Sequence, residues 1–193
     1  MTINYPLSDA ECLEMCREHV AYEVQMLNYC VLRIDGSKSQ QQNLYAEGFA
    51  LHLRNLLEFL YKPIPKEPKF DDLRALHFIN SDTWLNIRGE MSPILQDAEN
   101  RANKQLAHLT LSRQRKEPWE YMTILKTLVP VLKRLVSHAR QELLHEALRS
   151  EIESLEKTIA TARVAITCTT TSTSFASTSF GRSSIFNSEK GTK

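Results

Sequence analysis

Glycine and proline are scarce in this sequence, and their scarcity limits the choice of fold more than any other feature. Only 5 of the 193 residues are glycine and 7 are proline. Because these residues end helices and form turns, a chain with few of them favours long helices over a strand-rich fold. Apolar residues also recur at mixed intervals of three and four, as in amphipathic helices. The sequence therefore predicts an all-α protein, an up-and-down bundle of four to five helices with a long C-terminal helix and a disordered tail.

Capping and breaking signals divide this pattern into helices. The run from Ser8 to Glu11 is a helix-start signal, because its side-chain oxygens can cap the first free amides. Three prolines within residues 63–68 end the second helix. Pro130 lies inside the fourth pattern and predicts a kink or a break there, at a cost of roughly 3 kcal/mol. The predicted spans are about 8–35, 43–61, 70–79, 82–89, 92–113 and a last one that starts near Trp119.

The chain is predicted to comprise three parts. Residues 1–140 form the helical bundle, and residues 141–165 form an amphipathic or coiled-coil-like helix. We expect this helix to continue beyond the bundle, where a partner could use it. Residues 166–193 are rich in Ser and Thr, and such low-complexity composition cannot build a core, so a disordered tail is predicted. The apolar stripe of the amphipathic helix consists of Leu144, Leu148, Ile152, Leu155 and Ile159.

Charge and cysteine content limit the classes of protein that fit. The formal net charge is +1, so any contact with RNA must come from a local cluster rather than from overall attraction. No apolar run reaches the roughly 18 residues of a membrane span, and no signal peptide opens the chain. Cys12 and Cys16 lie one helical turn apart, with no second Cys or His pair at metal spacing. We expect a cytoplasmic protein with reduced thiols, no membrane partner, no metal and no cofactor.

The most suggestive polar residues lie midway along the chain, in residues 100–110. Arg101 and His108 are seven positions apart, close to two helical turns, so their side chains lie nearly in line on one helix face. Lys104 and Gln105 share this face, while Ala102 belongs to the stripe that can be buried. A guanidinium and an imidazole beside an ammonium and an amide can handle a phosphate. They fit an ordinary solvated helix face equally well.

The spacing from Arg101 to His108 resembles the R-x4-6-H motif of HEPN domains. A second stretch, Tyr45 to Phe59, is similar to uncharacterised bacterial members of that family, and the resemblance covers about residues 10–140. HEPN domains commonly have Asn directly after the motif arginine, whereas this chain has Asn103 one position later. The resemblance implies a small helical bundle that acts as a homodimer. Many members are ribonucleases of toxin–antitoxin or phage-defence systems, with an antitoxin as a possible protein partner.

The resemblance also implies roles for individual residues. His108 would act as acid or base around the 2′-hydroxyl and the leaving oxygen of RNA, with no metal required. Arg101 would stabilise the charge that develops at phosphorus. Glu47 and His52 are predicted to face the third main helix and to orient His108. The residues expected to support the catalytic pair are Asn103, Lys104, Glu47, His52 and Arg54.

Three alternatives remain open from the sequence. Arg101 and His108 fit a binding-only site or a solvated pair as well as a catalytic one. Arg54 fits a simple helical pair with Glu58, four residues later. The whole chain also fits a non-catalytic interaction module that binds a protein partner through its C-terminal helix. Chance matches to the motif occur too, at Arg140–His145 and nearly at Arg74–His77.

Overall fold

A computed structural model describes residues 7–34, 39–64, 72–105 and 118–172 of the chain. All regular structure in these ranges is helical, so the predicted all-α class is confirmed. A π-helical turn, Cys16–Val20, joins the first two helices, and single 3-10 turns lie at Ala75–His77 and Gln141–Leu143. The α-helices are α1 (Asp9–Met15), α2 (Ala21–Ile34), α3 (Ser39–Tyr61), α4 (Ser81–Arg88), α5 (Pro93–Gln105), α6 (Tyr121–His138) and α7 (Glu146–Ser172).

The longer helices form a closed ring. α2 packs against α3, α3 against α5, α5 against α6, α6 against α7, and α7 returns to α2, while the short α4 packs on α6. α2 and α3 are antiparallel, because Glu23 pairs with His52 while the later Tyr29 meets the earlier Tyr45. Within the described ranges, each helix of the ring thus buries its main apolar stripe against its neighbours.

Contacts of α7 show how the ring closes. Gln25 bonds to Glu151 and Asn28 bonds to Ser154, so residue numbers rise together and α2 and α7 are parallel. Lys133 of α6 pairs with Glu156 of α7 at 2.8 Å. In a ring of five helices that alternate in direction, the first and the fifth are parallel. The α2–α7 contacts are those of an up-and-down arrangement.

The core lies inside this ring and consists almost entirely of aliphatic and aromatic side chains. Trp84 of α4 is only 1% exposed, and its indole nitrogen donates a hydrogen bond to the carbonyl of Leu60 at 2.9 Å. A buried indole that keeps a hydrogen-bond partner contributes its large apolar area without leaving a donor unpaired. Among the largest fully buried side chains are also Phe49, Phe78, Leu53, Leu57, Leu95, Leu125 and Leu132.

Helix starts follow the capping signals in the sequence. The Ser8 hydroxyl accepts from the amide of Glu11 at 3.3 Å, and the Glu11 carboxylate accepts from the Ser8 amide at 2.8 Å, which together form a capping box. Asn80 caps α4 by accepting from the amides of Asp82 and Thr83. α4 ends at Gly89, whose φ of 70° is the left-handed value that glycine adopts most readily.

A kink or a break was predicted at Pro130, and the break is wrong. α6 runs without interruption from Tyr121 to His138, and Pro130 lies on its exposed side. The flanking Val129 and Val131 are buried, so packing on both sides holds the helix together despite the missing amide. The predicted segment 70–79 also differs, because residues 72–79 hold only the 3-10 turn at Ala75–His77.

The predicted independence of the C-terminal helix is wrong as well. Ala139 is extended, with φ −67° and ψ 158°, and α6 therefore ends before α7 begins. α7 then folds back into the ring, and its whole predicted apolar stripe is at most 9% exposed. Its backbone is helical to Ser172, seven residues beyond the predicted boundary at 165; residues 173–193 lie outside the described ranges. The buried stripe consists of Leu144, Leu148, Ile152, Leu155 and Ile159.

Candidate functional site

A groove lies where the chain enters α6. Trp119 and Tyr121 stack with ring centroids 6.3 Å apart and an interplanar angle of 10°. Phe49 of α3 lies edge-on to both rings, with its centroid 4.9 Å from that of Tyr121. Because Phe49 is fully buried while Trp119 and Tyr121 are half-buried, the two outer rings are anchored on the core and still reach the surface.

Arg101 borders this groove from α5. Its guanidinium carbon lies 4.4 Å from the centroid of the Trp119 ring, and Nη1 donates to the carbonyl of Pro118 at 3.3 Å. Stacking and hydrogen bonding together fix the plane of the guanidinium. Asn103 is half-buried and Lys104 is exposed, both on the last turn of α5. The described part of α5 ends at Gln105, so His108 lies outside the described residues.

Glu47 lines the same groove from α3. It is exposed on α3 and lines a volume of about 550 Å³ together with Trp119 and Tyr121. Glu47 therefore shares this groove with Trp119, whose ring contacts Arg101. The remaining described lining residues are Ile34, Gln42, Asn43, Ala46 and Pro118.

His52 and Arg54 lie in different surroundings. His52 is only 8% exposed, and its Nδ1 lies 2.8 Å from the Glu23 carboxylate of α2, with Tyr22 edge-on to its ring. The prediction that His52 faces the third main helix is wrong, because both of its contacts are with α2. Arg54 pairs with Glu58 at 3.0 Å, which confirms the simpler alternative for this residue.

A second, smaller cavity of about 200 Å³ adjoins Glu23. The other carboxylate oxygen of Glu23 accepts from Asn55 at 3.2 Å, so both oxygens are engaged by α3 side chains. This arrangement fixes α2 against α3. Arg74, only 8% exposed, lies on the far wall and donates to the Asp72 carboxylate at 2.8 Å.

Sequence reasoning missed Glu23, Asn55 and the π-helical turn that brings His19 and Val20 to this cavity. Glu23 and His52 are 29 residues apart, so no local spacing connects them. A π-helical turn has no residue signature of the kind that Gly or Pro provides, although such turns are frequent at functional sites.

The chance motif match at Arg140 and His145 is separated by the fold. Arg140 precedes the 3-10 turn and pairs with Asp9 at 2.8 Å, whereas His145 stands at the start of α7 and accepts from the Ala147 amide. The two side chains do not share a helix. His77 bonds through Nδ1 to the backbone of Arg74, and burial lowers its pKa below 6.5.

No protein-family model matches this sequence, and neither a curated protein nor a solved structure shows significant similarity to it. Within the described ranges, no group of three His, Cys, Asp or Glu side chains is arranged to hold a metal ion. In the same ranges, no helix is long and apolar enough to cross a membrane.

Proposed function

We propose that this chain is a cytoplasmic HEPN-like protein that acts on RNA as a homodimer. The observation that carries the proposal is the fixed Arg101 guanidinium, 4.4 Å from the Trp119 ring at the edge of the groove. Single-stranded RNA is typically bound by bases stacked on aromatic rings or guanidinium planes, with cations at the phosphates. Trp119, Tyr121 and Arg101 offer these elements within one groove, and Lys104 adds a second cation on the adjacent turn.

The proposed reaction is metal-independent cleavage of the RNA backbone. The 2′-oxygen attacks phosphorus and the bond to the 5′-oxygen breaks, which leaves a 2′,3′-cyclic phosphate and a 5′-hydroxyl. One His108 accepts the 2′ proton, and the partner's His108 donates a proton to the leaving oxygen. Arg101 stabilises the negative charge on the phosphoryl oxygens, because its planar fork matches their geometry. By the same resemblance, we propose a toxin or phage-defence setting with an antitoxin as protein partner.

The outer side of α2 and α3 supports a homodimer. Tyr22 and Tyr29 lie seven residues apart on α2, and Leu44 and Leu51 lie seven apart on α3; all four are at least 42% exposed. Tyr29 lies edge-on to Tyr45, the neighbour of Leu44, so the two rows are adjacent. Two adjacent apolar rows on antiparallel helices suit a two-fold axis, where each copy covers the other with the same face.

Sedimentation equilibrium tests this dimer. Leu51→Glu is expected to shift the protein toward monomer, because a charge would be buried at the interface. Leu85→Glu on α4 is the matched control, since Leu85 is 51% exposed and Leu51 is 49% exposed. A wild-type protein that stays monomeric at every concentration would contradict the proposal, and so would equal effects of the two substitutions.

Fluorescence anisotropy with a labelled single-stranded RNA tests the groove. Arg101→Ala and Trp119→Leu are each expected to raise the dissociation constant about tenfold, the loss typical of one stacked base. Arg140→Ala removes an equal charge from an exposed arginine that pairs with Asp9, and it should bind as the wild type does. Unchanged binding by both groove variants would refute the assignment.

The alternative function is an interaction module that binds a partner through the apolar stripe of the C-terminal helix. The apolar stripe of α7 is inside the bundle as far as Ile159, so over residues 146–162 a partner would meet the polar side of this helix. Lys133, Glu153 and Glu156 border that side, together with Arg149. Binding of a partner there would rely on electrostatic attraction, so the affinity would fall steeply as the salt concentration rises.

A further inference from the structure

Two arginines meet at the ends of α4 and α6, away from the RNA groove. Arg134 donates from Nη2 to the carbonyl of Arg88 at 3.4 Å. The Arg88 guanidinium carbon lies 4.8 Å from the ring centroid of Tyr61, at the end of α3. Three elements thus bring two cations and a phenol together, and we call this group the arginine pair site (Tyr61, Arg88 and Arg134).

Among the described residues, no carboxylate pairs with either of these positive charges, those of Arg88 and Arg134. The Nε atoms of both side chains are buried and lack a hydrogen-bond partner. Each guanidinium has five N–H donors, and the single 3.4 Å bond uses only one of them. Both charges act on the Tyr61 hydroxyl, so two half-buried like charges lie in one neighbourhood, and an anion bound beside them would stabilise the fold.

Tyr61 provides a third donor that stays protonated. Burial raises the pKa of its hydroxyl, while the charges of Arg88 and Arg134 act in the opposite direction. That both charges act on the same hydroxyl indicates that the three groups are close together. A neutral phenol can donate a hydrogen bond to an anion that the arginines attract.

We propose that the arginine pair site binds a phosphate group. A phosphate presents oxygens in the geometry that a guanidinium fork binds with two parallel hydrogen bonds. The charge of a phosphate group would neutralise both arginines. A single exposed carboxylate would not neutralise both. The proposal does not depend on RNA cleavage, because it involves neither Arg101 nor His108.

Thermal unfolding with inorganic phosphate, matched in ionic strength to chloride, provides the first test. Phosphate is expected to raise the wild-type melting temperature along a saturating curve, because it binds the folded state alone. Arg88→Gln and Arg134→Gln should each lose this rise. Arg33→Gln is the matched control, since Arg33 also lies over a tyrosine, 3.6 Å from the Tyr29 centroid.

Isothermal titration with phosphate gives the second readout, on variants whose circular dichroism matches the wild type. We expect the dissociation constant to rise at least tenfold in Arg88→Gln and Arg134→Gln and to stay unchanged in Arg33→Gln. Equal effects of phosphate and chloride on the wild type would overturn the proposal. So would an unchanged dissociation constant in the two site variants.

Competition then distinguishes the source of the phosphate. Uridine 5′-monophosphate carries a terminal phosphate, whereas the dinucleotide UpU carries only an internal diester. Displacement of phosphate by the monophosphate alone would assign a small phosphorylated ligand. Displacement by UpU as well would assign a diester of a nucleic-acid strand, and both results support the site.

Discussion

The Glu23 side chain makes two polar contacts between α2 and α3. Its two carboxylate oxygens bind His52 at 2.8 Å and Asn55 at 3.2 Å, and only 22% of its side chain is exposed. Hydrogen bonds to a charged, largely buried group are worth more than neutral ones at the surface. The pair Arg54–Glu58 on the same helix surface is more exposed and lies within one helix.

Glu23→Gln is therefore expected to lower the free energy of unfolding by about 1–3 kcal/mol, since the substitution removes the charge that both partners bind. Glu58→Gln is the control, and it should cost only about 0.5 kcal/mol, as for other i, i+4 pairs. Urea unfolding measures both values. Equal losses would contradict the structural role given to Glu23.

The lowered pKa of His77 makes the stability of the fold depend on pH. Burial lowers its pKa in the folded protein below 6.5, with the neighbouring charge of Arg74 acting in the same direction and a backbone hydrogen bond opposing it. Between the lowered value and 6.5, the unfolded chain binds more protons than the folded one, so stability rises with pH. The contribution of His77 is complete above 6.5 and is lost as the pH falls through its folded-state pKa.

His77→Asn should reduce this pH dependence, since the amide can replace Nδ1 but does not titrate. His138→Asn, at an exposed histidine, should leave the slope unchanged. Urea unfolding between pH 8 and pH 5 provides the comparison. A wild-type protein that gains stability on acidification over this range would contradict the assigned direction.

At the scale of elements, α2 and α3 approach closely at Gly48. A Cβ placed on Gly48 would lie 2.9 Å from the sulfur of Cys30, closer than such atoms pack. Alanine is the better helix former by about 1 kcal/mol, but overpacking typically costs about 1–3 kcal/mol. The clash should therefore prevail, and the two helices would have to separate.

Gly48→Ala is accordingly expected to destabilise the wild type and to be neutral or stabilising in a Cys30→Ala background. The double-mutant cycle isolates the contact between the two positions. Chemical unfolding of the four proteins gives the coupling energy. If Gly48→Ala has the same effect in both backgrounds, the close approach does not limit the packing of α2 on α3.

Local spacing explains which elements could be predicted. The capping box at Ser8 and Glu11 and the pair Arg54–Glu58 lie within four residues, and both were readable from the sequence. The sequence did not predict that the helix continues through Pro130, because this depends on core packing of Val129 and Val131 against distant helices. Tertiary contacts override local propensity at such positions.

At the scale of the whole molecule, the closed ring explains the largest difference from the predicted domains. An amphipathic stripe such as that of α7 requires a partner surface, but the sequence does not say whether the same chain provides it. Here α2 and α6 provide it, and the contacts with α2, such as Gln25–Glu151, join residues 126 positions apart. The all-α class followed from composition and period, whereas the ring depends on non-local pairing.

The predicted site residues within the described ranges lie in two separate places in the structure. Arg101 and Glu47 border the Trp119 groove, whereas His52 and Arg54 belong to the Glu23 side of α3. Residues 47 and 55 are about 12 Å apart along one helix, at 1.5 Å per residue. α3 thus contributes residues to two separate sites, and the residue types alone do not show which residue belongs to which site.

The central claim is metal-independent cleavage of RNA by Arg101 and His108. The most direct test is cleavage of an end-labelled single-stranded RNA in EDTA by the wild type, Arg101→Ala and His108→Ala. Arg140→Ala and His145→Ala, at the motif match that the fold separates, serve as controls. We predict that the first two variants lose cleavage while the controls keep it, all with unchanged helicity and oligomeric state. Absence of wild-type cleavage, or equal cleavage by all five proteins, would contradict the account.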